Sequence, residues 1–220
     1  MRVLDLFCGA GGAGLGYLQS GATALVGVDR NPQPDYPGEF LQGDALALGL
    51  ELLETRDFDF VHASPPCQAN SVLTKCNRTR AGWSDTHVDL IPHTRELLEA
   101  FGVPYVIENV KGAVLRKDPM LCGEMFGLGV IRHRYFEFGN GATIPSIAHK
   151  PHRGRTRGWN HGVYHDGPYL AVYGQGGGKG SVAEWQVAMG IHHTENRRSI
   201  AEAIPPAYTK FIASAQRNDT

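Results

Sequence analysis

The stretch Asp5–Tyr17, DLFCGAGGAGLGY, decides how the rest of the chain is read. Gly9, Gly11, Gly14 and Gly16 alternate with other residues, Gly12 being a fifth glycine, directly after the apolar run Arg2–Phe7. The pattern Gly9-x-Gly11-x-x-Gly14, set between a strand and a helix, lets the backbone turn tightly and approach a ligand. Asp29 follows Gly9 by 20 residues and ends the next apolar run, Thr23–Asp29. A carboxylate there accepts hydrogen bonds from ribose hydroxyls, so a nucleotide-like cofactor is expected. The loop alone leaves a dinucleotide and S-adenosylmethionine open, since both carry an adenosine. Asp5 suits a cationic amino acid or a sulfonium better than a pyrophosphate. Gly43-Asp44 offers a further acid on the same edge, suited to an adenine amino group.

Outward from that loop, apolar runs alternate with helix-like segments. Phe58–Ser64 and Pro104–Val110 read as strands, and the segment 87–102 between them reads as a helix despite Pro92. Alternation of this kind predicts a doubly wound parallel sheet, whose ligands sit at the carboxyl ends of the strands. That places Gly9–Gly12, Asp29, Cys67 and Glu108 on one edge. With 220 residues the chain is expected to form one domain with a small appended lobe. The divisions are 1–138 for a catalytic, cofactor-binding part, 139–180 for a loop-rich lobe, and 181–220 for helices returning to the first part. One short strand, Tyr169–Gly174, is expected in the lobe, and one helix-like run over 195–216. Formal net charge is −1, so no global field announces a nucleic acid, and local charge must be read instead. The N-terminus lacks the long apolar segment of a signal peptide and no run approaches a membrane span, which predicts a cytoplasmic protein. Cys8, Cys67, Cys76 and Cys122 form no CxxC pair, so reduced thiols are expected.

The run SPPCQ (Ser64–Gln68) follows a strand. Its two prolines stiffen the backbone and hold Cys67 at the cofactor-facing edge. A buried apolar cysteine is the commoner fate of the residue, but Gln68 and Asn70 make a poor core, which favours a nucleophile. Glu108-Asn109 closes a later apolar strand. An unpaired buried carboxylate there costs several kcal/mol, so Glu108 is a candidate for chemistry, with a structural ion pair as the plainer alternative.

These pieces together resemble the DNA (cytosine-5) methyltransferase family. The resemblance rests on DLFCGAGG (Asp5–Gly12), PPCQ (Pro65–Gln68), ENV (Glu108–Val110) and RHR (Arg132–Arg134). It continues weakly through EWQVAMGI (Glu184–Ile191) and AIPPAY (Ala203–Tyr208), in the family's order. It implies a Rossmann-like S-adenosylmethionine-dependent methyltransferase sheet and methyl transfer to C5 of cytosine in duplex DNA. Cys67 is then the nucleophile that adds at C6, and Glu108 holds N3 through a raised pKa or a shared proton. Asn109 supports the loop, while Arg134, with Arg132 nearby, meets the base carbonyl. S-adenosylmethionine lies over Phe7, Cys8, Gly9, Gly11 and Gly12. Around it stand Asp5, Asp29, Arg30, Asp44, Pro66 and Glu202. The resemblance implies no metal, and no metal-ligand spacing is evident. The histidines are scattered, and His192-His193 is read as surface. A monomer is expected, in a bacterial or phage-infected cell and in a restriction-modification setting.

A base inside a duplex must be flipped out to reach such a site. The lobe is the candidate grip on the DNA, because His149–Gly162 carries Lys150, Arg153, Arg155 and Arg157 with no acid among them. Trp159 or Asn160 would reach bases. Gln68, Asn70, Arg78 and Arg80, in and after the PPCQ segment, complete the expected DNA contacts. The lobe is shorter than usual for the family, and Glu202 stands near where a relative would meet the cofactor's methionine end. Three other readings remain: a tRNA methyltransferase of the same family, an inactive DNA-binding relative, and a dehydrogenase. The last explains the glycine loop and Asp29 but not Pro65–Gln68 with Glu108-Asn109.

Overall fold

The computed structural model describes residues 1–66, 89–116, 119–160, 163–173 and 180–216. Cys67, Gln68, Asn70, Cys76, Arg78 and Arg80 lie outside the described residues. Seven strands form one sheet in the order β3-β2-β1-β4-β5-β7-β6. They are β1 (Arg2–Leu6), β2 (Ala24–Asp29), β3 (Glu39–Gln42), β4 (Phe60–Ala63), β5 (Tyr105–Asn109), β6 (Met120–Leu121) and β7 (Arg134–Gly139). The first five run parallel, while β7 lies antiparallel between β5 and β6. A dinucleotide-binding sheet is parallel through its sixth strand, so this reversed strand separates the fold from a dehydrogenase's.

The central strands are buried without alternation because helices cover both faces. One face carries Val3, Phe60, Val106 and Phe136 against Tyr17, Tyr208 and Ile212 of α1 (Gly12–Gln19) and α6 (Pro206–Gln216). The other carries Leu4, Leu6, Val61 and Ile107 against Leu52 and Leu98 of α2 (Ala45–Thr55) and α3 (Ile91–Phe101). Asp44 caps α2 by accepting from the amides of Leu46 and Ala47. Pro92 falls in the first turn of α3, where its missing N–H costs nothing. A third cluster gathers Val130, Val172 and Ile191 around Trp185 and Met189 of α4 (Val182–Met189) and Ile200 of α5 (Arg197–Glu202). β8 (Gly158–Asn160) and β9 (Val163–His165) pair as a separate two-stranded sheet.

Three sequence readings change here. The described part of Tyr169–Gly174, residues 169–173, is not a strand. Tyr169 and Leu170 make only isolated bridges, to Thr156 and Val130, and Gly174 lies outside the described residues. The run 195–216 is two helices, broken at Ala203–Pro205, because a proline in a helix interior removes a hydrogen bond and clashes with the preceding turn. The sheet also contains β3 and β7, which the apolar runs do not announce.

The glycines of the opening stretch divide their work. Gly9 and Gly11 take φ of +49° and +83° in the loop. Gly12 and Gly16 serve packing: a Cβ on Gly12 would meet the Ile204 carbonyl, and one on Gly16 would meet Thr209 and the Pro206 carbonyl. Both obstacles include backbone, which yields little. Gly16→Ala should therefore destabilise the protein by about 3 kcal/mol, the upper part of the range for overpacking. Urea unfolding monitored by circular dichroism measures it, and a change within about 0.5 kcal/mol, the usual surface value, would disprove the close approach.

Candidate active site

The carboxyl edge of the sheet carries two groups of side chains. At the ends of β1, β2 and β3 stand the glycine loop, Asp29, Arg30 and Asp44. Phe7 leaves β1 with φ of +57°, an uncommon conformation for a bulky residue and a form of strain that clusters at functional sites. Asp29 braces the loop, with Oδ2 accepting from the Gly9 amide at 3.0 Å and Oδ1 from Asn31 at 2.9 Å. A Cβ placed on Gly9 would meet open space, so the loop is a cradle with room above it. Asp44 faces Arg30 at 3.0 Å. Amides of α2, chiefly Ala47, together with Arg30 hold its carboxyl below the usual range. These features fit the adenosine part of S-adenosylmethionine.

Asp5 sits differently from its reading in the sequence. Strand alternation turns it into the α1 layer, where it is fully buried. Tyr36 donates to its Oδ2 at 3.1 Å, and Oδ1 has no hydrogen bond. Burial raises its pKa from 3.8 to about 7, with a smaller push from Asp29, against hydrogen bonds from Tyr36 and the Gly14 amide. The folded chain thus keeps a proton that the unfolded chain releases near pH 3.8, and stability falls as pH rises from about 4 to 7. The full displacement corresponds to about 4 kcal/mol above pH 7. Asp5→Asn removes that charge but leaves a buried amide short of a partner, so it should gain about 2 kcal/mol over wild type at pH 8 and none at pH 4. Chemical denaturation at the two pH values tests this, and an equal difference at both would overturn it. Cys8 is also buried, and desolvation with the charges of Asp5 and Asp29 pushes its thiol up, the opposite of a reactive cysteine.

The second group stands where β4, β5 and β7 meet. Antiparallel pairing of β7 with β5 sets Asn109 opposite Tyr135 and brings Arg134 to the same edge. Glu108 is 5% exposed, and Arg134 Nε lies 2.8 Å from its Oε1. The approach is off the line of a hydrogen bond, so Oε1 forms an ion pair without accepting one. Desolvation raises the Glu108 pKa, with Arg134, Arg132 and a hydrogen bond from Ser64 opposing it. Asn109 donates from Nδ2 to the Pro65 carbonyl at 3.0 Å, tying the Pro65-Pro66 turn to β5. The guanidinium of Arg132 donates to the carbonyls of Val172 and Ala201 at 3.0 and 2.7 Å, a clamp between separate segments.

Sequence reading missed several neighbours of this site. Tyr17 pairs with His62 Nδ1 at 3.0 Å, and His62 Nε2 with Ser64 Oγ at 3.0 Å. Burial drives the His62 pKa down to about 3, so the ring is neutral. A neutral ring has one donor and one acceptor nitrogen, so His62 donates to one of Tyr17 and Ser64 and accepts from the other, and Ser64 in turn neighbours Glu108. A histidine in an apolar strand was the available signal. His193 is not surface but half-buried, and its Nε2 donates to the Ala10 carbonyl in the glycine loop at 2.7 Å.

The remaining predicted residues stand apart from this edge. Arg153 pairs with Glu124 at 2.7 Å and Arg157 with Glu184 at 2.9 Å. The acids come from distant parts of the chain, which is why His149–Gly162 looked uniformly basic. Lys150 and Arg155 are exposed, and Trp159, 75% exposed, packs edge-on against Tyr164. Glu202 pairs with Arg198 one helical turn away, at 2.8 Å.

The sheet with its reversed strand and loaded carboxyl edge is of the Rossmann-like methyltransferase class. It superposes, with a TM-score of 0.58 and 13% identity over 99% of both chains, on a protein assigned as a DNA modification methyltransferase encoded within an E. coli prophage. Residues 1–121 match the family of C-5 cytosine-specific DNA methylases, and the chain belongs to that family. It is 29% identical over 129 residues to the type II methyltransferase M.AquIA of Picosynechococcus, covering 51% of this chain and 50% of that protein. It is 30% identical over 137 residues to the type II methyltransferase M.XorII of Xanthomonas oryzae pv. oryzae, covering 56% of this chain and 31% of that protein. The chain thus matches half or less of the length of these relatives. No helix among the described residues is long and apolar enough to cross a membrane.

Proposed function

We propose that the chain transfers a methyl group from S-adenosylmethionine to C5 of cytosine in duplex DNA. The observation that carries this is Glu108: buried, raised in pKa, facing Arg134, and joined through Ser64 to the segment that leads into Cys67. S-adenosylmethionine would be held by Phe7, Gly9, Gly11, Asp29 and Asp44, and supplies a methyl group on a cationic sulfur. Cys67 adds as thiolate to C6 of a flipped base, which makes C5 nucleophilic. Glu108 holds the ring nitrogen N3 through a proton, and Arg134 meets the base carbonyl. Loss of the C5 proton then expels the thiolate and restores the ring. Asn109 and Arg132 act by position, fixing the Pro65 turn and the segment before β7. Segment 139–180 serves as the target-recognition lobe.

Bisulfite sequencing of DNA from an expressing host tests the reading and gives the target site. Unmethylated host DNA, with purified protein inactive on that DNA, would overturn it. Methylation of tRNA alone would replace it with the RNA reading. A second measurement separates the lobe's cations. Replacing Lys150 and Arg155 with alanine should lower the log–log salt slope of DNA binding by about 1.8, or 0.9 for each phosphate contact. Replacing Arg153 and Arg157, whose charges are already paired, should change it less. Equal slopes for both double variants would remove the distinction.

A further inference from the structure

Four side chains outside the cofactor cradle and the Glu108 site converge on one point. Cys122, His133, His149 and His152 each present a ligand atom, and the four atoms lie within 4.8 Å of one another. Cys122 follows β6 and is fully buried as a free thiol. His133 stands between Arg132 and Arg134, and His149 and His152 lie on the loop that follows β7. The spacing Cys122-x10-His133-x15-His149-x2-His152 contains no familiar pair of paired ligands, which is why no metal-ligand spacing was evident.

Two of the spacings match those of a coordination shell. His133 Nε2 lies 3.3 Å from both His149 Nε2 and His152 Nε2. Around a tetrahedral zinc with Zn–N of about 2.0–2.1 Å, neighbouring nitrogens stand about 3.4 Å apart. Hydrogen bonding explains the arrangement poorly. A ring nitrogen is either donor or acceptor, and His133 Nε2 faces two others at once. A cation serves all three lone pairs together. The outer contacts agree. His152 Nδ1 lies 2.7 Å from Glu124 Oε2, the carboxylate–histidine arrangement that fixes Nε2 as the ligating nitrogen. Burial raises the Cys122 thiol, and the backbone amides of Glu124, Arg132 and Gly123 act against that rise, so a bound cation is what would favour the thiolate.

We propose that Cys122, His133, His149 and His152 bind one tetrahedral zinc ion. Four protein ligands leave no open position, so the site is structural. A thiolate with three imidazoles suits zinc better than magnesium or calcium, which take oxygen ligands. The ion ties residues 149–152 to the turn that carries Arg134, and so holds that arginine against Glu108. This makes the four ligands positioning residues.

The test uses the full chain without a histidine tag. Metal analysis of wild type should find about one zinc per chain, the stoichiometry of a closed site. Cys122→Ser and His149→Ala should each lose most of it. Cobalt(II) loaded in place of zinc should show a thiolate charge-transfer band that Cys122→Ser abolishes. Should the variants not fold, wild type stripped by a chelator and given Zn²⁺ alone should recover its melting temperature, as ligand linkage requires. Wild type that takes up no zinc would overturn the proposal. So would folded variants that keep a full equivalent. Methylation activity is not needed for any of these readouts, so the metal site can stand or fall apart from the proposed reaction.

Discussion

Replacing Cys67 with serine should lower methyl transfer by roughly 10⁴-fold, the scale on which removal of a covalent nucleophile acts, while leaving S-adenosylmethionine binding intact. A serine hydroxyl in this position lacks both the acidity and the softness to add to C6. The cradle residues lie on other segments, Phe7, Gly9 and Gly11 in the loop after β1 and Asp29 at the end of β2, and are untouched by the change. Tritiated methyl incorporation measures the first half, and calorimetry with S-adenosylhomocysteine the second. DNA containing 5-fluorocytosine should also trap wild type in a covalent complex located at Cys67 by mass spectrometry, because fluorine cannot leave as a proton does. Wild-type incorporation by the serine variant would assign the nucleophile elsewhere.

Glu108→Gln should cost about 10²–10⁴-fold in methyl transfer, the contribution of a positioned acid. The amide keeps the shape and one donor but cannot share a proton with N3. The wild-type rate should fall as pH rises through the Glu108 pKa, which burial sets above the ordinary carboxylate range. The sign follows from the role: the group works while it holds its proton. That descending limb should vanish in the glutamine variant, and its persistence would place the titration on another group. Arg134→Ala should move the limb to higher pH, since its guanidinium favours the ionised form.

What the sequence disclosed follows from physics that acts locally. Glycines flanked by an apolar strand and a helix, or prolines at a strand's end, mark a carboxyl edge wherever they occur. Glu108 was legible because a carboxylate in PYVIEN has no inexpensive place to go. The missing elements depend on partners far along the chain. Arg134–Gly139 becomes a strand because β5 and β6 flank it, and nothing within RYFEFG names those neighbours. Arg153 and Arg157 looked free because Glu124 and Glu184 are 29 and 27 residues away. Asp5 stands beside the glycines in sequence, yet the pleat sends its side chain into the buried layer under α1 rather than toward the open loop. The convergence of Cys122 with three histidines is tertiary in the same sense.

The contact between α1 and α6 has a consequence for how the molecule comes into being. Thr209 Oγ1 donates to the Ala13 carbonyl across 196 residues of sequence, and the bare faces of Gly12 and Gly16 admit the segment around Ile204 and Pro206. The helix that shapes the glycine loop leaves the ribosome well before the surface it rests on. Domains synthesised from the N-terminus usually begin to organise as they appear. Here the cradle cannot reach its final form until α6 arrives, and such long-range closure is slow. Damage to α6 should therefore be felt first at the opposite end of the sequence, as a loop that no longer holds its shape.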